Sequence, residues 1–205
     1  MNSNGMYKLI SKIYGLLDVV YFRDNDKNPR KAVNDLIEDR KSVLDICTGT
    51  AVGAITVSKA KPHAKIVGID LSKEMLSIAR RNIKKHNIHN IKLGRMDATK
   101  TKFQDNTFDV IIMSLVLHEM PPKLASAMLK EAKRLLKEDG KIIVVEWEPP
   151  KKLMQKILFL PIPLLEPRSY HSFVKLDMKK YFAGFGLHID RLMHCDYTKV
   201  IALTK

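Results

Sequence analysis

Cysteine is scarce. Cys47 and Cys195 are the only two in 205 residues, too few for a disulfide framework and in keeping with a reducing compartment. No apolar run approaches the roughly 20 residues that span a bilayer. The N-terminus does not read as a secretory signal either, because Lys8 and Lys12 interrupt its apolar residues and no small-residue cleavage site follows. These absences argue against a secreted, membrane-spanning or disulfide-knotted protein, and the expectation is a cytoplasmic one. No C-x-x-C pair and no H-E-x-x-H spacing occurs. His86, His89, His188 and His194 read as surface or strand residues, so no metal is expected. Acidic residues are outnumbered, 22 against 36 basic, for a net charge of +14. That balance suits nucleic acid, anionic lipid or acidic substrates, but the lysines are spread through nearly every segment and charge alone does not choose.

What is present is an ordinary globular composition, 45% hydrophobic and 28% charged, with enough chain for one large core. No repeat or low-complexity linker divides it, and the reading is a single domain over 1–205. Apolar residues at Met6, Leu9, Ile10, Ile13, Leu17, Val20 and Tyr21 have the three-and-four spacing of an amphipathic helix. Asn28-Pro29 opens a second helix to Glu38. Then the period changes. Short apolar strands are predicted at 43–47, 65–70, 91–96, 108–114 and 141–146, alternating with helices at 51–60, 72–86 and 121–137, the last ended by Asp139-Gly140. Ser72 is the expected cap of the second of these helices. Strands that are apolar throughout, separated by helices, argue for a doubly wound, mostly parallel Rossmann-like α/β sheet covered on both faces. Residues 153–165, LMQKILFLPIPLL, break the strand–helix alternation. A short helix near 176–182 and two closing strands, about 187–195 and 198–203, complete a seven-stranded sheet with an antiparallel C-terminal strand.

The chemistry centres on the first strand and its turn, VLDICTGTAVGA at 43–54. In such sheets ligands sit beyond the carboxyl ends of the strands, where a loop feeds a helix N-terminus. Glycine there permits close backbone approach, and free N–H groups favour a carboxylate or phosphate. Asp70 ends the second strand, where an acidic side chain accepts both hydroxyls of a ribose. An adenosine-bearing cofactor follows. A dinucleotide fingerprint needs three glycines; aligning Gly49 with the middle one leaves Cys47 and Val52 at the others, so it fails. A phosphate-binding loop fails for want of Gly-Lys-Ser/Thr. The remaining common cofactor is S-adenosylmethionine.

The residues at 41–148 resemble a class I S-adenosylmethionine-dependent methyltransferase of the ubiquinone/menaquinone-biosynthesis type: VLDICTGTA, VGIDLSKEML, GRMDATKTKFQDNTFDVIIMSLVLHEM and LLKEDGKIIVVEWEPP occur in the family's order. The resemblance implies that the loop Asp45, Cys47, Thr48, Gly49 and Thr50 wraps the methionine end. It implies further that Asp70 binds the ribose, that Leu71 packs on the adenine with Met75 nearby, and that Asp97 bonds the adenine amino group beside Ala98. Ser114 would lie under the methionine portion. The family has a further glycine where this chain has Ala51, and a methyl group fits there if that residue is helical.

His118-Glu119 follows the fourth strand at the mouth where a methyl acceptor must sit. A histidine with its pKa near working pH can take a proton from a phenol, amine or thiol, so His118, assisted by Glu119, is the expected base. Tyr14, Tyr21, Trp147 and Tyr170 are candidates for an acceptor pocket. The expected organisation is N-terminal helices at 1–40, a cofactor core at 41–148, a substrate lid at 149–175 and a closing unit at 176–205. The acceptor is expected to be a small molecule such as a quinol, with peripheral contact to an anionic membrane and a homodimer as further expectations. Two rival readings remain: a nucleic-acid methyltransferase, disfavoured because Ser114-Leu-Val-Leu-His118 is not the Asn/Asp-Pro-Pro-aromatic motif that grips a flipped base, and a cofactor-binding scaffold without turnover.

Overall fold

The computed structural model describes residues 27–205, so the expected helix at 6–22, with Tyr14 and Tyr21, lies outside the described residues. A first helix, α1 (Pro29–Asp35), leads into β1 (Ser42–Ile46), α2 (Val52–Ala60), β2 (Lys65–Asp70), α3 (Lys73–Lys85), β3 (Ile91–Arg95) and β4 (Phe108–Ser114). After α4 (Pro122–Leu135) and β5 (Leu136–Trp147) come four short helices: α5 (Leu153–Phe159), α6 (Pro161–Leu165), α7 (Arg168–Phe173) and α8 (Met178–Ala183). Strands β6 (His188–His194) and β7 (Thr198–Thr204) close the chain. The strand order is β3-β2-β1-β4-β5-β7-β6. The first five strands are parallel neighbours, and β7 runs antiparallel to both β5 and β6.

Strand residues alternate between two cores because successive side chains point to opposite faces. Val110, Ile112, Ile143 and Val145 pack with Val33 of α1 and Ala54, Ile55 and Val57 of α2. Ile111, Met113, Ile142 and Val144 pack with Met128 and Leu129 of α4 and Phe182 of α8. That double burial is why these strands read as unbroken Val/Ile runs rather than as alternating ones.

The α3 cap is as the sequence predicts: the Ser72 hydroxyl accepts from the Met75 N–H at 3.1 Å. Two boundaries differ. Helix α4 stops at Leu135 rather than Lys137, because Leu136 takes extended geometry and pairs with Phe108, with a register shift between Phe108 and Val110. The 153–165 stretch forms two helices split at Leu160-Pro161, with proline in a first helical turn where no N–H is missed. Together with α7 it rests on Trp147 and Tyr197 through Phe159, Ile162 and Tyr170, a third small core.

Candidate active site

Strand order reverses direction between β1 and β4, so the loops leaving these two strands diverge and open a cleft at their carboxyl ends. The cleft holds about 1000 Å³, ample for a nucleoside-sized ligand and an acceptor together. After β1 the chain turns through Cys47 (φ 56°), Gly49 (φ 53°) and Ala51 (φ 63°), three left-handed residues in five. Only glycine adopts this region freely; for alanine it costs about 1–2 kcal/mol. Ala51 is therefore not helical, as its tolerance in the sequence had required, but a left-handed residue whose methyl is fully buried.

That geometry has a use. Ala51 occupies the N-cap of α2 without a side-chain cap, and Val52 and Gly53 of the first turn line the cleft. Uncapped N–H groups and the positive end of the helix dipole favour a carboxylate there. A Cβ built on Gly53 would meet no protein atom within 4 Å, so the backbone is open to a ligand. Asp70, at the end of β2, fixes the turn from the other side. Its two carboxylate oxygens accept from the Gly49 N–H at 2.9 Å and the Ser72 N–H at 2.8 Å. Each oxygen keeps a second lone pair, which is what a vicinal diol needs.

Asp45 lies below, buried at 4% exposure, and accepts from the Thr48 hydroxyl at 2.5 Å. Burial, against the Thr48 hydrogen bond, pushes its pKa up to about 6, with Asp70 adding to the rise. The Thr48 side chain fits because Gly68 lacks one: a Cβ there would lie 2.9 Å from the Thr48 hydroxyl. Burial first, then the charges of Asp70, Asp45, Glu119 and Asp97, push the Cys47 thiol up to about 12. It is no nucleophile. The same carboxylates make the cleft locally acidic in a chain of net charge +14, the field a cationic ligand requires.

Of the predicted cofactor residues, Asp45, Cys47, Thr48, Gly49, Thr50, Asp70, Leu71, Met75 and Ser114 line this one cleft. Leu71 is 61% exposed, an apolar side chain presented to the opening. Asp97 and Ala98 are not among the lining residues. Ala98 is buried in the core, and the Asp97 Oδ1 accepts from the Thr99 N–H at 2.8 Å and its hydroxyl at 2.7 Å.

The expected base lies outside the cleft lining. His118 is 1% exposed and absent from the cleft lining. Its Nδ1 meets the Glu146 carboxylate, and its Nε2 lies 3.1 Å from Glu166. Burial alone lowers the pKa of this ring, but the two carboxylates outweigh it and hold His118 at about 10. A raised pKa favours the imidazolium form, and both ring nitrogens are engaged by carboxylates and turned away from the cleft. His118, Glu119 and Glu166 bring donor atoms within 4.8 Å of one another, a spacing compatible with a cation. Glu166 also accepts from the Trp147 indole N–H at 2.9 Å, and Glu146 from the Leu117 N–H at 2.9 Å. Glu119, by contrast, does line the cleft, beside Leu115, Met120 and Trp147.

Tyr170 does not reach the cleft; it packs edge-on against His118 at 5.8 Å. None of residues 149–175 lines the cleft, and the segment meets it through Trp147. Sequence reasoning missed Arg30 and Asn34 of α1 and Arg95 of β3, all of which line the cleft. It also missed Glu146, although a carboxylate at the end of the run Ile142–Val145 was a signal in itself. Glu166 gave none.

A buried turn with an open helix N-terminus and a diol-accepting carboxylate one strand over defines a nucleoside-cofactor site of the methyltransferase kind. Comparison agrees. A family model described as a methyltransferase domain matches residues 43–140. The chain is 34% identical over 181 residues to a demethylmenaquinone methyltransferase of Staphylococcus saprophyticus, spanning 87% of this chain and 72% of that one. It is 31% identical over 153 residues to the enzyme of the same name from Geobacillus, spanning 71% and 64% respectively. In fold it resembles a SAM-dependent methyltransferase from Aquifex aeolicus, with a TM-score of 0.73 and 21% identity over 94% of this chain and 96% of that one. The chain belongs to the class I S-adenosylmethionine-dependent methyltransferases of the quinone-biosynthesis type. S-adenosylmethionine is its cofactor.

Proposed function

We propose that the chain methylates a quinol, with Glu119 as the group that accepts the quinol's proton and residues 149–175 as a lid over the acceptor. The observation that carries this is the position of Glu119, a carboxylate that lines the same cleft as the apolar Ile112, Leu115, Met120, Val145 and Trp147 and lies within 4.8 Å of the His118 ring and Glu166. An aromatic acceptor fits such walls. The names of the relatives support the same substrate class.

S-adenosylmethionine supplies a methyl carbon bonded to a positive sulfur, which leaves as a neutral thioether. The chain's residues do the rest. The α2 N-terminus would hold the cofactor's carboxylate and Asp70 its ribose hydroxyls, and Asp45 would place negative charge where the ligand is cationic. Asp97 would serve the adenine amino group, as the family resemblance implies, although it is not among the cleft-lining residues. Glu119 would take the hydroxyl proton, leaving a phenolate aligned with the methyl carbon that the cofactor would supply. Holding both reactants in this alignment contributes roughly 7–11 kcal/mol. His118 stays an imidazolium throughout and positions Glu146, Glu166 and through them Trp147.

The test is methyl transfer from labelled donor to a soluble demethylated naphthoquinol, comparing wild type with Glu119→Gln. A fall in kcat of about 10²–10⁴-fold with cofactor affinity within a few-fold is expected. Full turnover by the variant removes Glu119 from the chemistry. Label that enters RNA or a polar metabolite, and not the quinol, overturns the acceptor.

A further inference from the structure

We propose that the outer face of the 149–175 lid is a docking surface for an anionic bilayer. Ten large apolar side chains are exposed among the described residues, and six of them fall between positions 153 and 164: Leu153, Met154, Ile157, Leu158, Leu160 and Leu164, at 52–82% exposure. Single exposed leucines need no explanation; a concentration of this kind does. The same stretch sends Phe159 and Ile162 inward onto Trp147 and Tyr197. Its inner side is thus already occupied.

Charge selects the occupant. Lys151, Lys152 and Lys156 are exposed around the apolar residues, and no acidic residue occurs from Lys151 to Leu165. The first acid, Glu166, points inward to His118 and Trp147. An apolar stretch flanked by three exposed lysines, against one neighbouring acid, Asp196, which accepts from Gln155 at 3.3 Å, fits the boundary between acyl chains and negative headgroups. A second copy of this chain fits poorly, since a two-fold contact sets the same lysines against each other. Helices α5 and α6 have seven and five residues, enough to lie on a bilayer, and no helix among the described residues is long and apolar enough to cross one. The purpose of the contact rests on the quinol reading: a lipid-borne acceptor enters beside Trp147, which joins the lid's core to the cleft.

The experiment is flotation of the full-length protein with phosphatidylcholine vesicles, with and without about a third phosphatidylglycerol, in low and high salt. Wild type is expected to float with the acidic vesicles and to be released by salt. The variant Leu153→Ser/Met154→Ser/Leu164→Ser should bind at least tenfold more weakly, with cofactor affinity unchanged. In Lys151→Gln/Lys152→Gln/Lys156→Gln, affinity for acidic vesicles should fall about fivefold per lysine. Wild type that stays in solution, or apolar substitutions that leave binding intact, overturns the proposal. So does a dimer in sedimentation velocity that the apolar variant abolishes, which gives the face to a second copy. A large loss of melting temperature in that variant without a loss of vesicle binding gives it to residues 1–26 instead. Because binding is scored without acceptor, vesicle binding with no quinol turnover refutes only the acceptor, and the converse refutes only the docking surface.

Discussion

Asp45 and His118 are both buried ionisable groups, and their surroundings push them in opposite senses. For Asp45 burial dominates and raises its pKa to about 6 from an ordinary 3.8. The apo protein therefore gains stability when this group is protonated, a gain fully present below pH 3.8 and lost as pH rises through 6. By linkage the loss is about 3 kcal/mol. A cationic ligand reverses the preference, because the ionised carboxylate is the form that attracts it. Cofactor binding near pH 6 should thus release a proton, and affinity should fall as pH drops from 7 to 5. Calorimetry in buffers of different ionisation heat measures that proton directly. Asp45→Asn should abolish the release, raise apo stability at pH 7 and weaken cofactor binding at least tenfold, a trade of function against stability. A proton count of zero for wild type at pH 6 would refute the assignment. For His118 two carboxylates dominate over burial, and a residue that looks like a base becomes a fixed cation.

The β1–α2 turn shows why some of the site was legible in the sequence and some was not. Strand endings, the Gly49 turn, the Ser72 cap and the carboxylate at Asp70 are encoded locally, within a few residues of chain, and local pattern located them. The fate of His118 is not local: Glu146 and Glu166 come from 28 and 48 residues away, and only the packing of α6 and α7 brings the second one in. The conformation of Ala51 lies between these cases. Its neighbours imply a turn, but nothing in the sequence says that the turn and not the helix claims it. Left-handed backbone costs Ala51 about 1–2 kcal/mol, and its buried methyl returns roughly 0.8 kcal/mol. Ala51→Gly relieves the first and forfeits the second, along with some unfolded-state entropy. Denaturant unfolding should place it within about 1 kcal/mol of wild type, with cofactor affinity preserved. Ala51→Val, β-branched in the same conformation with no space for the added carbons, should lose more than about 2 kcal/mol. A valine variant as stable as wild type would mean that the turn does not hold this geometry in solution.

At the scale of the whole molecule the two ends of the site are held by different means. The cofactor end is carved from a sheet buried on both faces and has little freedom to move. In the proposed reading the acceptor end is covered by a segment of three short helices, tied to the body at Glu166, which accepts from both His118 and the Trp147 indole, and at Gln155, which donates to Asp196 at 3.3 Å. Because His118 has its pKa raised from 6.5 to about 10, the stabilisation from this contact is complete below pH 6.5 and is lost as pH rises through 10. Glu166→Gln removes one of the imidazolium's two counter-charges but leaves Glu146 beside it, so the fold should survive at a cost of about 1–3 kcal/mol. Three changes are expected together: the His118 ring should titrate at lower pH by NMR, amide exchange across 151–175 should quicken, and KM for the acceptor should rise. Cofactor affinity, set by the β1 and β2 loops, should hold within about twofold. Unchanged exchange across the lid would show that Phe159, Ile162 and Tyr170 hold it by packing alone.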